Sequence, residues 1–138
     1  MILGISNKVT SSGKKPGGPA ATYDTDAQAF FTSAGITDST QKTAVNTLVL
    51  SLKSDGIWTK MIAIYPFVGS TATNHKYNLK DTSAYTLTFA SGVTHSTAGM
   101  KINVGSAEYA DTGFAPNSGW SAVDNVSIGA YQSLGTPA

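Results

Sequence analysis

Two helix signals stand back to back between Thr25 and Gly56, and each closes on a glycine. Thr25-Asp26-Ala27-Gln28 has the capping-box spacing, in which a hydroxyl and a side-chain amide satisfy each other's orphan backbone donors. Ala27, Phe30, Phe31 and Ala34 follow on one helical face, and Gly35 suits the left-handed position that ends a helix. Asp38 and Gln41 then open a second helix, in which Ala44, Val45, Leu48, Val49 and Leu52 recur at helical spacing. Lys53 complements its C-terminus and Gly56 closes it. The pair, joined at Ile36-Thr37, has apolar faces that need a cover. IWTKMIAIYPFVG, from Ile57 to Gly69, is the most apolar run in the chain and follows directly. Met61 to Tyr65 reads as a strand buried on both faces, and Pro66 removes a ladder donor, so pairing must stop there. Residues 57–68 are therefore expected to form a central strand beneath the helices, with Trp58 and Tyr65 as core aromatics.

Past Gly69 the pattern shortens. Tyr85 to Phe89 alternates apolar and polar positions, Lys101 to Val104 does so briefly, and Val126 to Tyr131 is a last strand candidate. Ser91-Gly92, Ala98-Gly99, Gly105-Ser106 and Asn117-Ser118-Gly119 punctuate them as turns. The fold class expected is α+β: an extended N-terminal arm, a short helix pair, then a small antiparallel β-sheet or sandwich. Residues 1–22 form the arm and linker, because Ser11-Ser12-Gly13-Lys14-Lys15-Pro16-Gly17-Gly18-Pro19 cannot hold a helix or a central strand. Residues 23–138 form one helix-plus-β domain. The tip of the arm carries Ile2, Leu3, Ile5 and Val9, which read either as a frayed terminus or as an apolar anchor on a flexible tether.

Composition narrows the function. All nine basic residues are lysines, so the bidentate reader of guanine and phosphate is missing and nucleic acid is not an expected partner. There is no cysteine, which excludes thiolate metal sites, and no apolar run has the length of a membrane span. No signal peptide is read at the N-terminus. Eighteen threonines and 16 serines with 14 glycines give a bias typical of β-rich proteins outside the reducing cytosol or inside particles.

Groups able to do chemistry are few. His75 and His95 are twenty residues apart, with no zinc-binding spacing, and read as solvated loop histidines. Ser96 lacks a nucleophile-elbow context. Asp24, Asp26 and Asp38 are explained by helix termini, which leaves Glu108 and Asp111 as the one local carboxylate pair for glycoside hydrolysis. No enzyme, cofactor or metal is expected. The polar stretch from Asn74 to Asp81 fits a glycan grip, a subunit contact or a plain turn equally well.

Taken in order, Thr25 to Phe30, Ala34 to Asp38, Gly56 to Met61 and Ile64 to Gly69 resemble a family of virion structural proteins of tailed phages that infect Bacteroidota, including crAss-like phages. The likeness continues through His75 to Asp81, Gly92 to Ser96 and Tyr109 to Thr112, and covers roughly residues 24–118. The resemblance implies a particle component associated with a fibre, tail or head surface, with a concanavalin-like β-sandwich after the helix pair; it transfers no catalytic residue. Similar proteins run on past the Tyr109 segment, so the sheet is small, or neighbouring subunits supply its edges, or the native chain is longer. The first expectation is a virion structural protein that anchors through Ile2, Leu3, Ile5 and Val9 to capsid or tail partners and assembles as a homo-oligomer. The alternative is a carbohydrate-binding module for host-surface glycan, with His75, Tyr77 and Trp120 as contacts; a glycan hydrolase using Glu108 and Asp111 is the third.

Overall fold

The computed structural model describes residues 22–103, 105, 107–115 and 127–131. The arm with Ile2, Leu3, Ile5 and Val9, and the loop with Trp120, lie outside them. Helix α1 is Thr25–Ala34 and α2 is Ser39–Ser54. A single 3-10 turn at Trp58–Lys60 follows, then the one-turn helix α3, Ala72–His75. Four short strands complete the order: β1 Thr88–Phe89, β2 Thr94–Ser96, β3 Gly99–Lys101 and β4 Ala110–Asp111.

The helix pair forms for the local reasons read from the sequence, with one shift of cap. Asp24, not Thr25, caps α1: its carboxylate accepts from the Asp26 amide, while Gln28 donates from Nε2 to the Tyr23 carbonyl at 2.6 Å. A charged oxygen at the helix N-terminus is the stronger partner for the orphan donors and the macrodipole. Gly35 ends α1 at φ 66°. Asp38 caps α2 by accepting from the Gln41 amide at 2.8 Å. Gln41 does not reach back to complete a box; its Oε1 accepts from Gly69 N at 3.1 Å. The two helices are tied end to end by Lys53, whose Nζ lies 2.6 Å from Asp24 Oδ1 and 2.7 Å from Asp26 Oδ2. Asp26 therefore serves as an ion-pair partner rather than a cap.

Ala27, Phe30, Phe31 and Ala34 from α1 meet Val45 and Val49 from α2, with Ile36, Trp58 and Leu79 closing the core. Tyr23, Leu52, Ile64, Val68 and Tyr77 pack around it. Ala44 and Leu48 fall on the exposed side of α2, so the buried stripe is narrower than the apolar pattern. Trp58 takes the core position expected of it, 6% exposed.

The expected central strand at 57–68 is not formed. Trp58–Lys60 is a 3-10 turn, and residues 61–68 run irregularly, mostly half-buried. Their backbone partner is one side chain rather than a neighbouring strand. Asn78, fully buried, accepts at Oδ1 from Ile64 N (2.9 Å) and Lys80 N (3.0 Å), and donates from Nδ2 to the Ile62 and Ala84 carbonyls, each at 3.3 Å. That uses the full hydrogen-bonding capacity of an amide side chain. The Leu79 amide adds a bond to the Ile64 carbonyl at 2.8 Å.

The β part is an α+β remainder of two separate antiparallel pairs. β1 pairs with β4 (Thr88 opposite Asp111, Phe89 opposite Ala110). β2 and β3 form a hairpin with His95 opposite Met100 and Ser96 opposite Gly99. Among the described residues each sheet has two strands and no sandwich is formed. Of the Tyr85–Phe89 candidate only Thr88–Phe89 is strand; Tyr85 sits at φ 55°, which breaks extended pairing before it. Of the described residues in the Lys101–Val104 candidate only Lys101 is strand, at the end of a return strand that starts at Gly99. Residues 127–131 are irregular and exposed, with Ile128 and Tyr131 almost bare.

Candidate functional site

The densest cluster of polar chemistry lies where α3 meets the β2–β3 hairpin. Thr71-Ala72-Thr73-Asn74 builds α3 as a capping box: Thr71 Oγ1 accepts from the Asn74 amide at 3.1 Å, and Asn74 Oδ1 accepts from Thr71 N at 3.0 Å. Asn74 also donates from Nδ2 to the last-turn Ala34 carbonyl of α1 at 2.7 Å, which docks α3 on the helix pair. Gly69 must be glycine for this, since at φ 93° an added Cβ would sit 2.5 Å from Asn74 Cβ.

His75 ends α3 and is 1% exposed. Its Nδ1 lies 3.0 Å from Nδ1 of His95, which is half-buried on β2. The Phe67 ring meets His75 edge-on at 5.7 Å, and the Phe89 ring meets His95 at 4.6 Å. Phe67 is held at φ 51°, a strained position for an aromatic residue. His75 Nε2 is buried without a hydrogen-bond partner. Burial, and then the adjoining His95, push the His75 pKa below its ordinary value, while the Gly69 carbonyl opposes them by favouring the protonated ring.

The two histidines, read from the sequence as solvated, are thus a contacting pair, and His75 presents almost no surface. Tyr77 packs half-buried against the core with Lys76 Nζ 5.1 Å above its ring. Of the expected glycan contacts, His75 and Tyr77 are therefore neighbours turned inward, and Trp120 lies outside the described residues. Glu108 is taken up by Asn103, accepting from its amide at 2.7 Å and from Nδ2 at 3.1 Å. Asp111 accepts from Gly113 N at 2.8 Å in a local turn on β4.

Among the described residues no group of three or more His, Cys, Asp or Glu could hold a metal ion, and no helix is long and apolar enough to cross a membrane. Two shallow depressions exist. One of about 350 Å³ is lined by Asp26, Ala29, Leu79, Lys80, Asp81 and Thr82, and one of about 210 Å³ lies between Thr37, Gln41, Ser70 and Thr97. Neither is apolar and enclosed in the manner of a small-molecule site. The residues that sequence reasoning missed are Asn74, Asn78 and the histidine pair. Only Asn74 carried a signal, the Thr-x-x-Asn spacing of a helix start. No family model, curated protein or solved structure matches the chain.

Proposed function

We propose that this chain is a virion structural protein that works by attachment, its β part completed by strands or apolar surface from neighbouring subunits. The observation that carries the reading is the state of the two sheets. A two-stranded antiparallel pair is marginal on its own in water, and its outer edges are templates for another chain. Ile102, directly after β3, is 43% exposed, and Tyr109, directly before β4, is 58% exposed, so among the described residues apolar side chains flank both two-stranded ribbons. Strand addition joins backbone pairing with burial of such side chains, and repetition over a symmetric particle turns a modest contact into a stable one. In this account Ile2, Leu3, Ile5 and Val9 supply a second contact, on capsid or tail partners, and copies of the chain associate with one another.

The test is incorporation. The double variant Ile102→Lys, Tyr109→Lys places charge on both flanks without touching the helix core. It is expected to keep native helical circular dichroism yet to be lost from purified particles by tenfold or more. Undiminished incorporation would show that these flanks make no assembly contact.

A further inference from the structure

Among the described residues the histidine pair is a partly buried polar contact that links the helical part to the hairpin. It joins the last residue of α3 to the middle residue of β2, and α3 is itself fixed to α1 through Asn74. We propose that His75 and His95 form an acid-sensitive latch that holds the β2–β3 hairpin against α3 at neutral pH and releases it on acidification.

The geometry limits how many protons the pair can hold. Two Nδ1 atoms 3.0 Å apart require one N–H and one lone pair between them. Either ring can supply that N–H, according to the tautomer each adopts. A first proton on either ring preserves this bond, since the imidazolium donates to the neutral ring. A second proton, with both rings cationic, destroys it, because two N–H groups then face each other. Of the charged groups on neighbouring elements, the Glu108 carboxylate lies against Gly92 at the entry to β2 and accepts from Asn103. Lys76, next in the chain, holds its ammonium over Tyr77. Lys101 on β3 is exposed opposite Thr94. From the 65–69 segment and β1 the facing groups are the Phe67 and Phe89 rings, and the Tyr65 hydroxyl is committed to the Tyr85 carbonyl.

The sign follows from linkage. A folded-state histidine pKa below the unfolded value means that the open form binds more protons, so closure is fully present above about pH 6.5 and weakens as pH falls through and below it. The hairpin is the part that yields, being two strands of three residues, whereas α3 keeps its capping box and its bond to Ala34.

Heteronuclear NMR on the full chain from pH 8 to pH 4.5 tests this. Expected is the loss of the dispersed amide signals of residues 94–101 and of the Met100 methyl shift in one transition, with the Val45 and Val49 methyl signals unmoved. The imidazole nitrogen shifts of His75 are expected to change in the same transition. In His95→Asn the amide can donate to His75 Nδ1 or rotate to accept from it, so the hairpin signals are expected to stay dispersed over the whole range. The latch is overturned if His95→Asn opens at the native pH. It is equally overturned if both rings titrate while the hairpin signals stand still, or if the core methyl signals collapse in the same step.

Discussion

Replacing Asn78 by alanine removes the one side chain that organises the apolar run after the second helix. Four backbone groups lose their partner: the amides of Ile64 and Lys80 and the carbonyls of Ile62 and Ala84. A buried polar group left unpaired costs about 1–3 kcal/mol. Ile62 is 42% exposed and Lys80 is half-buried, so water can recover roughly half of the loss, which leaves about 2–6 kcal/mol. Against a total stability of about 5–15 kcal/mol for a domain, that is a large fraction. Urea unfolding followed by circular dichroism at 222 nm, far-ultraviolet and thus dominated by the two long helices, reads it directly. Asn78→Asp sharpens the test. It keeps the shape and both acceptors but aims a carboxylate at two carbonyls, so at neutral pH it is expected to be at least as damaging as alanine. Protonation returns one donor, so part of the loss is recovered in acid. A loss below about 1 kcal/mol for Asn78→Ala would refute the view that this side chain takes the place of a neighbouring strand.

Phe30→Ala, at a fully buried position, is expected to cost about 3–5 kcal/mol by the same urea titration. Gly69→Ala forces a Cβ onto Asn74 at a left-handed backbone position and is expected to destabilise by about 1–3 kcal/mol, with loss of the α3 signals in NMR spectra. Lys53→Met breaks two surface ion pairs, and an unfolding midpoint that moves only slightly and depends less on salt is the expected result. The Lys53 hydrogen bond holds the Asp24 carboxyl below its ordinary value, so its contribution is present above about pH 4 and is lost as pH falls further; Asp24→Asn should flatten that acid limb of the stability curve. Deleting residues 1–20 is expected to leave the urea midpoint unchanged while lowering recovery in particles.

What the sequence made legible was local. Caps, glycine stops and the spacing of Ala27, Phe30, Phe31 and Ala34 act within one or two helical turns, and both helices appear where that pattern places them. The cap moved by one residue because Asp24 and Thr25 both offer an oxygen and only the surrounding geometry chooses. The run at 57–68 was misread because its composition reports burial and says nothing of its partner. That partner is an amide 14 residues beyond Ile64, where nothing in the pattern points. His75 was misread for a related reason: the groups that cover it are Phe67, eight positions earlier, and β2, twenty positions later. The short strands fail for want of continuity, since positive φ angles at Tyr85, Gly92 and Gly99 interrupt what alternation suggested.

The proposed role is attachment, and the copy number of the chain in purified particles measures that most directly. Quantitative mass spectrometry against labelled peptides is expected to return a fixed number per particle that is a multiple of a symmetry order and survives high-salt washing. A trace amount that varies between preparations and washes away would contradict it.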